Sequence, residues 1–141
     1  MSHTLPTDPT RLPPTEHATL EALEPALHAA GLPQLDGAEI AVIAAHLRLL
    51  DAWNPAINLT RVVDPRERAT RHLLDSLVAV PHLDGLLPSQ GGRVADLGSG
   101  GGFPGVPLAA RLLARDETRT LTLIESIGKK ARFLDAVAAA S

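Results

Sequence analysis

The chain has no cysteine and no tyrosine, and its aromatic side chains are Trp53, Phe103 and Phe133 alone. Without thiols there is no disulfide scaffold, no thiolate metal site and no cysteine nucleophile. So few aromatics disfavour a protein that stacks bases on a sheet or along a groove. The longest apolar run, Ile40 to Ala45, falls well short of the ~20 residues that a membrane span needs. The start, Met1 to Pro14, is polar and carries four prolines, so it offers no secretory signal. A cytoplasmic protein without membrane association is the expectation. The histidines all precede residue 91 and are too scattered to suggest a metal site.

What the chain does have is aliphatic bulk. Leucine (24) and alanine (22) dominate its 141 residues, a length suited to about one domain. Such a composition favours helices and buried strands. Charge is uneven: residues 1–90 hold 6 basic and 11 acidic side chains, and residues 91–141 hold 7 and 5.

Three regions follow from the pattern. Residues 1–15 read as a disordered leader, broken by Pro6, Pro9, Pro13 and Pro14. Residues 16–90 read as helical. One helix runs from Glu16 to Ala30 with an interruption at Pro25. A second follows Asp36, with Ile40, Ile43, Leu47, Leu50 and Trp53 on one face, and ends at Asn54-Pro55. A third opens at Asp64-Pro65-Arg66-Glu67 and carries Leu73, Leu77 and Val80 to Pro81, before a loop from Asp84 to Gly92. Residues 91–141 change character. Arg93 to Leu97 is a short strand running into Gly98-Ser99-Gly100-Gly101-Gly102-Phe103-Pro104-Gly105, then come a helix to about Ala114, a strand Thr120 to Ile124, and a helix Lys129 to Ala140 with Phe133, Leu134 and Val137 inward. Strand, glycine turn, helix, strand, helix is the opening of a doubly wound parallel sheet.

A glycine turn between strand and helix brings backbone close to a ligand. Here Asp96 ends the first strand two residues before Gly98, and Glu125 ends the second, where it can accept from ribose hydroxyls. A P-loop would need Lys-Ser/Thr where Phe103-Pro104-Gly105 stands. A nicotinamide fingerprint fits one register, Gly100, Gly102 and Gly105, but leaves Asp96 unexplained and puts Pro104 inside the turn. It would also set a pyrophosphate beside an acidic strand end. S-adenosylmethionine has no phosphate and carries ammonium and sulfonium charge, so an acid in the first turn attracts it.

Four blocks carry a resemblance: Trp53-Asn54 with Asn58-Leu59-Thr60; Arg71-His72 with Asp75-Ser76; Asp96 through Gly98-Ser99-Gly100 and Gly102-Phe103-Pro104-Gly105-Val106-Pro107; and Glu125-Ser126 with Lys129-Lys130 and Phe133-Leu134. Together the chain resembles the bacterial 16S rRNA (guanine-N7)-methyltransferases, the glucose-inhibited division protein B family. That resemblance implies a Rossmann-like S-adenosylmethionine-dependent methyltransferase fold, α/β, of which this chain holds the first two strands behind a helical N-terminal region. It implies cofactor contacts from Gly98 and Phe103, with Glu125, Ser126 and Ile127 lining the ribose and adenine end; Asp96, Gly100 and Gly102 complete the cofactor set. The implied substrate is a guanine of 16S rRNA in the small ribosomal subunit, and the complete protein is expected to be a monomer. Phosphate contacts are expected from Arg61, Arg66, Arg68 and Arg71 with His72, and from Lys129, Lys130 and Arg132. Asp75 is the candidate for stabilising the charged methylated base; it shares a helix face with His72, and an internal hydrogen bond anchoring that helix to the sheet is the alternative. The family's sheet has seven strands, so the chain is expected to be a fragment with poor ligand affinity in isolation. Methyltransfer to another substrate class, or a remnant that keeps only the cofactor turn, are the competing readings.

Overall fold

The computed structural model describes residues 4–141. Seven helices and two strands follow in order: α1 (His17–Ala29), α2 (Gly37–Ile57), α3 (Pro65–Arg68), α4 (Asp75–Leu77), α5 (Val80–Leu86), β1 (Arg93–Leu97), α6 (Gly105–Arg115), β2 (Thr120–Ile124) and α7 (Gly128–Ala139). A π-helical stretch, Ala69–Leu74, joins α3 to α4. The strands pair in parallel with Arg93 opposite Thr120 and Leu97 opposite Ile124. The mixed architecture, helical first and then a parallel pair, is the one expected.

α2 is the axis of the molecule. A capping box starts it: Glu39 N–H donates to Asp36 Oδ1 (2.8 Å) and Asp36 N–H to Glu39 Oε2 (2.7 Å). The expected face is buried at Ile43, Leu47, Leu50 and Trp53, but Ile40 is 41% exposed. Its place is taken by His46 and Leu49, both fully buried, because α2 is covered by α6 and α7 as well as by the N-terminal elements. The helix also passes Asn54-Pro55 and stops three residues later, where Asn58 adopts a left-handed φ of 52°. Pro25 is likewise inside α1. Proline costs one N–H···O bond; Glu21 and Pro25 are exposed, so water can take up the freed carbonyl.

The third expected helix is subdivided. Asp64 accepts from Arg66 and Glu67 N–H to start it. Leu73, Leu77 and Val80 are buried as expected, but Pro81 falls in the first turn of α5 instead of ending the run, and α5 extends into the expected Asp84–Gly92 loop. A proline suits a first turn, whose N–H groups have no intrahelical acceptor.

The described part of the expected disordered leader, residues 4–15, is held. Trp53 Nε1–H donates to Pro6 O (2.7 Å). Asp8 caps a 3-10 turn at Pro9–Arg11, and Pro9 is buried. Those prolines suit an extended strap, whose stability comes from α2 and not from its own pattern. Met1 to His3, the rest of that segment, lie outside the described residues.

Two ion pairs, one part-buried and one buried, tie the helical region together and to the α/β unit. Arg48 Nε and Nη2 grip Glu16 at 2.9 and 2.5 Å. Arg111 of α6 pairs with Glu39 of the capping box and donates to Pro33 O (2.9 Å) and Gln34 O (3.1 Å).

Candidate functional site

The glycine loop is stitched to the end of β2. Gly98 and Ser99 N–H both donate to Ile124 O (2.8 and 3.0 Å), and Ile124 N–H returns a bond to Ser99 Oγ (3.1 Å). Gly100 N–H donates to Glu125 Oε2 (2.8 Å), and Ile127 N–H to Glu125 Oε1 (3.0 Å). These backbone donors, Ile127 first and Gly100 next, hold the Glu125 carboxyl below the ordinary glutamate range. Asp96 Oδ2 accepts from Gly105 N–H (3.1 Å), so the strand-end acid also caps the start of α6. Ser126 and Ile127 are exposed at the turn into α7.

The glycines divide by cause. Gly98 and Gly100 have φ of 77° and 54° with open space where a Cβ would stand, so their freedom shapes the loop and leaves its rim accessible. A Cβ at Gly102 would meet His46 Nε2 at 2.6 Å, and one at Gly105 would meet Leu123 Cδ2 at 2.3 Å and Asp96 Oδ2 at 2.5 Å. Those two are required by packing beneath the loop. Gly101 is pressed toward the Leu59 carbonyl, 3.2 Å from its ideal Cβ position.

That last contact explains the Asn58-Leu59-Thr60 block. Asn54 clamps Thr60 by both backbone groups, donating to its carbonyl (3.0 Å) and accepting from its N–H (2.9 Å). Thr60 Oγ1 and His72 Nε2 lie 2.8 Å apart in a hydrogen bond. The His72 ring stacks on Phe103, with centroids 4.3 Å apart and planes 11° from parallel. His46 lies against Phe103 as well, at 4.7 Å. Phe103 therefore joins the glycine loop to both the segment around Thr60 and the π-helical stretch.

His46 and Ser99, absent from the expected site residues, are central to it. Ser99 is buried and bridges the two strand ends. His46 Nε2 lies 2.7 Å from Gly101 O; a carbonyl only accepts, so the ring carries its proton on Nε2. Burial, offset in part by that bond, pushes the His46 pKa down to about 4. Ser99 stood inside the glycine turn read from the sequence without a role, whereas nothing in the pattern marked His46, which sits on α2, 55 positions before its partner.

The expected basic residues separate. Arg61, Arg66 and Arg71 are exposed around the π-helical stretch, and Arg71 approaches Glu67 at 3.8 Å. Arg68 does not belong with them: it is buried, pairs with Asp51 at 2.6 Å and donates to Val62 O (2.9 Å). Its charge is consumed in holding α2 to the Thr60–Val62 segment. His72 is half-buried, and desolvation, with lesser contributions from Arg68 and Arg71, lowers its pKa. Asp75 is exposed; its charge acts on His72, yet no hydrogen bond joins them among the described residues. Lys129 and Arg132 line a cleft with Trp53, Ile57 and the strap residues Thr4 and Leu5. Lys130 is half-buried, and its charge acts on Glu125. No helix among the described residues is long and apolar enough to cross a membrane.

Two strand-end carboxylates put negative charge beside the glycine loop, which favours a cationic ligand with hydroxyls to donate over an anionic one. Residues 39–141 match the family model described as GidB, rRNA small subunit methyltransferase G. The chain is 48% identical over 113 residues to a ribosomal RNA small subunit methyltransferase G of Xanthomonas euvesicatoria pv. vesicatoria, covering 80% of this chain and 47% of that protein. It is 50% identical over 103 residues to the protein of the same name from Pseudomonas paraeruginosa, covering 73% and 44%, and 43% identical over 115 residues to that of Yersinia pestis (strain Pestoides F), covering 82% and 50%. The chain thus spans about half the length of the curated relatives it matches. With its glycine loop, its Asn-Leu-Thr clamp and its Arg-His block all inside the matched residues, the chain belongs to the GidB family.

Proposed function

We propose that this chain supplies the methyl-donor half of an S-adenosylmethionine-dependent methyltransferase acting on N7 of a guanine in 16S rRNA. The observation that carries the reading is the loop from Asp96 to Gly105 bonded through Gly100 N–H to Glu125 at 2.8 Å, within a chain of the GidB family. Bound there, S-adenosylmethionine supplies a sulfonium methyl group to a nucleophile. Asp96 offers negative charge to its cationic end, while Gly98 and Gly100 keep the rim free of side chains. Glu125 and the exposed Ser126 and Ile127 would line the ribose and adenine end. N7 of guanine holds its lone pair at neutral pH, so the chain has no proton to remove. Its task is alignment and exclusion of water, worth ~7–11 kcal/mol at best.

Arg61 and Arg71, exposed on the side where His72 meets Phe103, would hold RNA phosphates close to the loop. Lys129 and Arg132 would form a second contact on the strap side, and Lys130, beside Glu125, would serve the loop more than the RNA. Asp75, exposed on the same stretch, would offset the positive charge that N7 methylation creates.

The test is transfer of tritiated methyl from S-adenosylmethionine to small ribosomal subunits that lack the modification, with the labelled base identified as 7-methylguanine. Label in 7-methylguanine, lost on Asp96→Ala, supports the reading. Label in another base or in protein contradicts the assigned substrate, and ligand binding without any transfer identifies a binding module in place of an enzyme.

A further inference from the structure

His46 is a buried polar side chain with a single hydrogen bond. Its ring is fully enclosed, tilted against Phe103 at 4.7 Å and Phe133 at 6.1 Å, and its Nδ1 has no partner among the described residues. Leucine or methionine would fill such an apolar slot with no polar atom of its own to strand. What imidazole adds is one donor, Nε2–H, aimed at Gly101 O (2.7 Å).

The place where it acts is specific. Gly101 lies between Gly100, whose N–H meets Glu125, and Gly102, whose N–H donates to Ser99 O at 2.7 Å. The ring also occupies the space that a side chain at Gly102 would need, 2.6 Å from the ideal Cβ. One imidazole therefore fixes a carbonyl, sets the floor under a glycine and packs on the next residue, Phe103.

We propose that His46 is a positioning residue for the donor loop: its Nε2–H holds the Gly101 carbonyl and so sets the backbone from Gly100 to Phe103 that the methyl donor meets. The inference rests on the reading of this loop as the donor site. His46 touches no ligand in this role and acts through the loop.

The test compares the wild-type chain with His46→Leu and His46→Gln. Leucine keeps the apolar volume, and glutamine returns a donor. Nitrogen-15 NMR should find the wild-type ring neutral with its proton on Nε2 at pH 7. Amide exchange at Gly100 and Gly102 should quicken by about tenfold in His46→Leu, the scale of one hydrogen bond, and recover in His46→Gln, with α2 and α7 core amides unchanged in both. Affinity for S-adenosylhomocysteine should fall and recover in parallel. A proton on Nδ1, unchanged loop exchange in His46→Leu, or no recovery in His46→Gln overturns the proposal. If exchange behaves as expected but the wild-type chain does not bind S-adenosylhomocysteine even at millimolar concentration, the positioning role stands and the donor reading falls. If the wild type binds and exchange is indifferent to residue 46, the reverse holds.

Discussion

His46 also gives the protein a pH dependence of its own. Its pKa is pushed from the ordinary 6.5 to about 4 in the folded chain, so between those values the unfolded chain binds a proton that the folded one refuses. Stability therefore falls as pH drops from about 6.5 to about 4, by about 3 kcal/mol at ~1.4 kcal/mol per pH unit, and this group costs nothing further below that. His72, also lowered, acts in the same direction. The lowered carboxyls of Glu16 and Glu125 add their losses only below the usual carboxylate range. Thermal unfolding across pH 4–7 should show the acid loss, and His46→Gln should flatten it.

The glycines give a second comparison at the same scale. Gly98→Ala places a side chain at φ 77° with nothing to strike, so it should cost only ~1–2 kcal/mol of backbone strain while weakening ligand binding at the rim. Gly102→Ala meets His46 at 2.6 Å besides having φ 91°; overpacking adds ~1–3 kcal/mol to that strain. Denaturant unfolding of the two variants should rank them in that order. A glycine repeat shows only that backbone freedom is wanted. Which glycines face a ligand and which face a histidine depends on what lies underneath, and α2 is more than forty positions away.

Among elements, the strands and the helix faces were legible because their periods are local. Arg93 to Leu97 and Thr120 to Ile124 are the strands observed, and Phe133, Leu134 and Val137 are buried on α7. Helix ends were less legible. Pro25, Pro55 and Pro81 read as breaks, yet each sits inside a helix or at a first turn, since one lost hydrogen bond is tolerated at Pro25 and Pro55 and none is lost at Pro81. The π-helical stretch Ala69–Leu74 left no mark in the pattern. It carries Arg71 and His72, and π-bulges often accompany functional residues. Arg68 read as a phosphate contact and proved to be a buried partner of Asp51, because its role is set by packing against the preceding helix and not by its own neighbours in sequence. The Glu39–Arg111 pair is the element-scale joint between α2 and α6. Arg111→Met leaves Glu39 buried without its cation and should destabilise by ~3–5 kcal/mol, whereas Glu39→Gln together with Arg111→Met should recover part of that loss. Chemical denaturation of both variants checks this.

In the whole molecule, one continuous core runs from α1 and α2 into α6 and α7, while alternate residues of both strands stay exposed on the other side of the sheet. Among the described residues the sheet has two strands; the paired strand ends Leu97 and Ile124 are 76% and 46% exposed, and Ile127 at the start of α7 is 46% exposed. Exposed apolar side chains beside unpaired strand edges promote association. Light scattering of the chain should show mass rising with concentration, and Leu97→Lys should reduce the rise. The same openness is consistent with a chain spanning about half the length of its relatives. The glycine loop is nonetheless held at several points, by Asp96 of β1, Ile124 of β2, Glu125 just beyond it, and His46 of α2.

The most direct measurement is therefore an NMR titration of the nitrogen-15-labelled chain with S-adenosylhomocysteine, which detects even weak binding. The expected result is saturable shifts confined to Gly98–Phe103 and Glu125–Ile127, abolished by Asp96→Ala and not reproduced by ATP or NAD. Absence of shifts at millimolar ligand, or equal shifts with ATP or NAD, would contradict the assignment of this loop to a methyl donor.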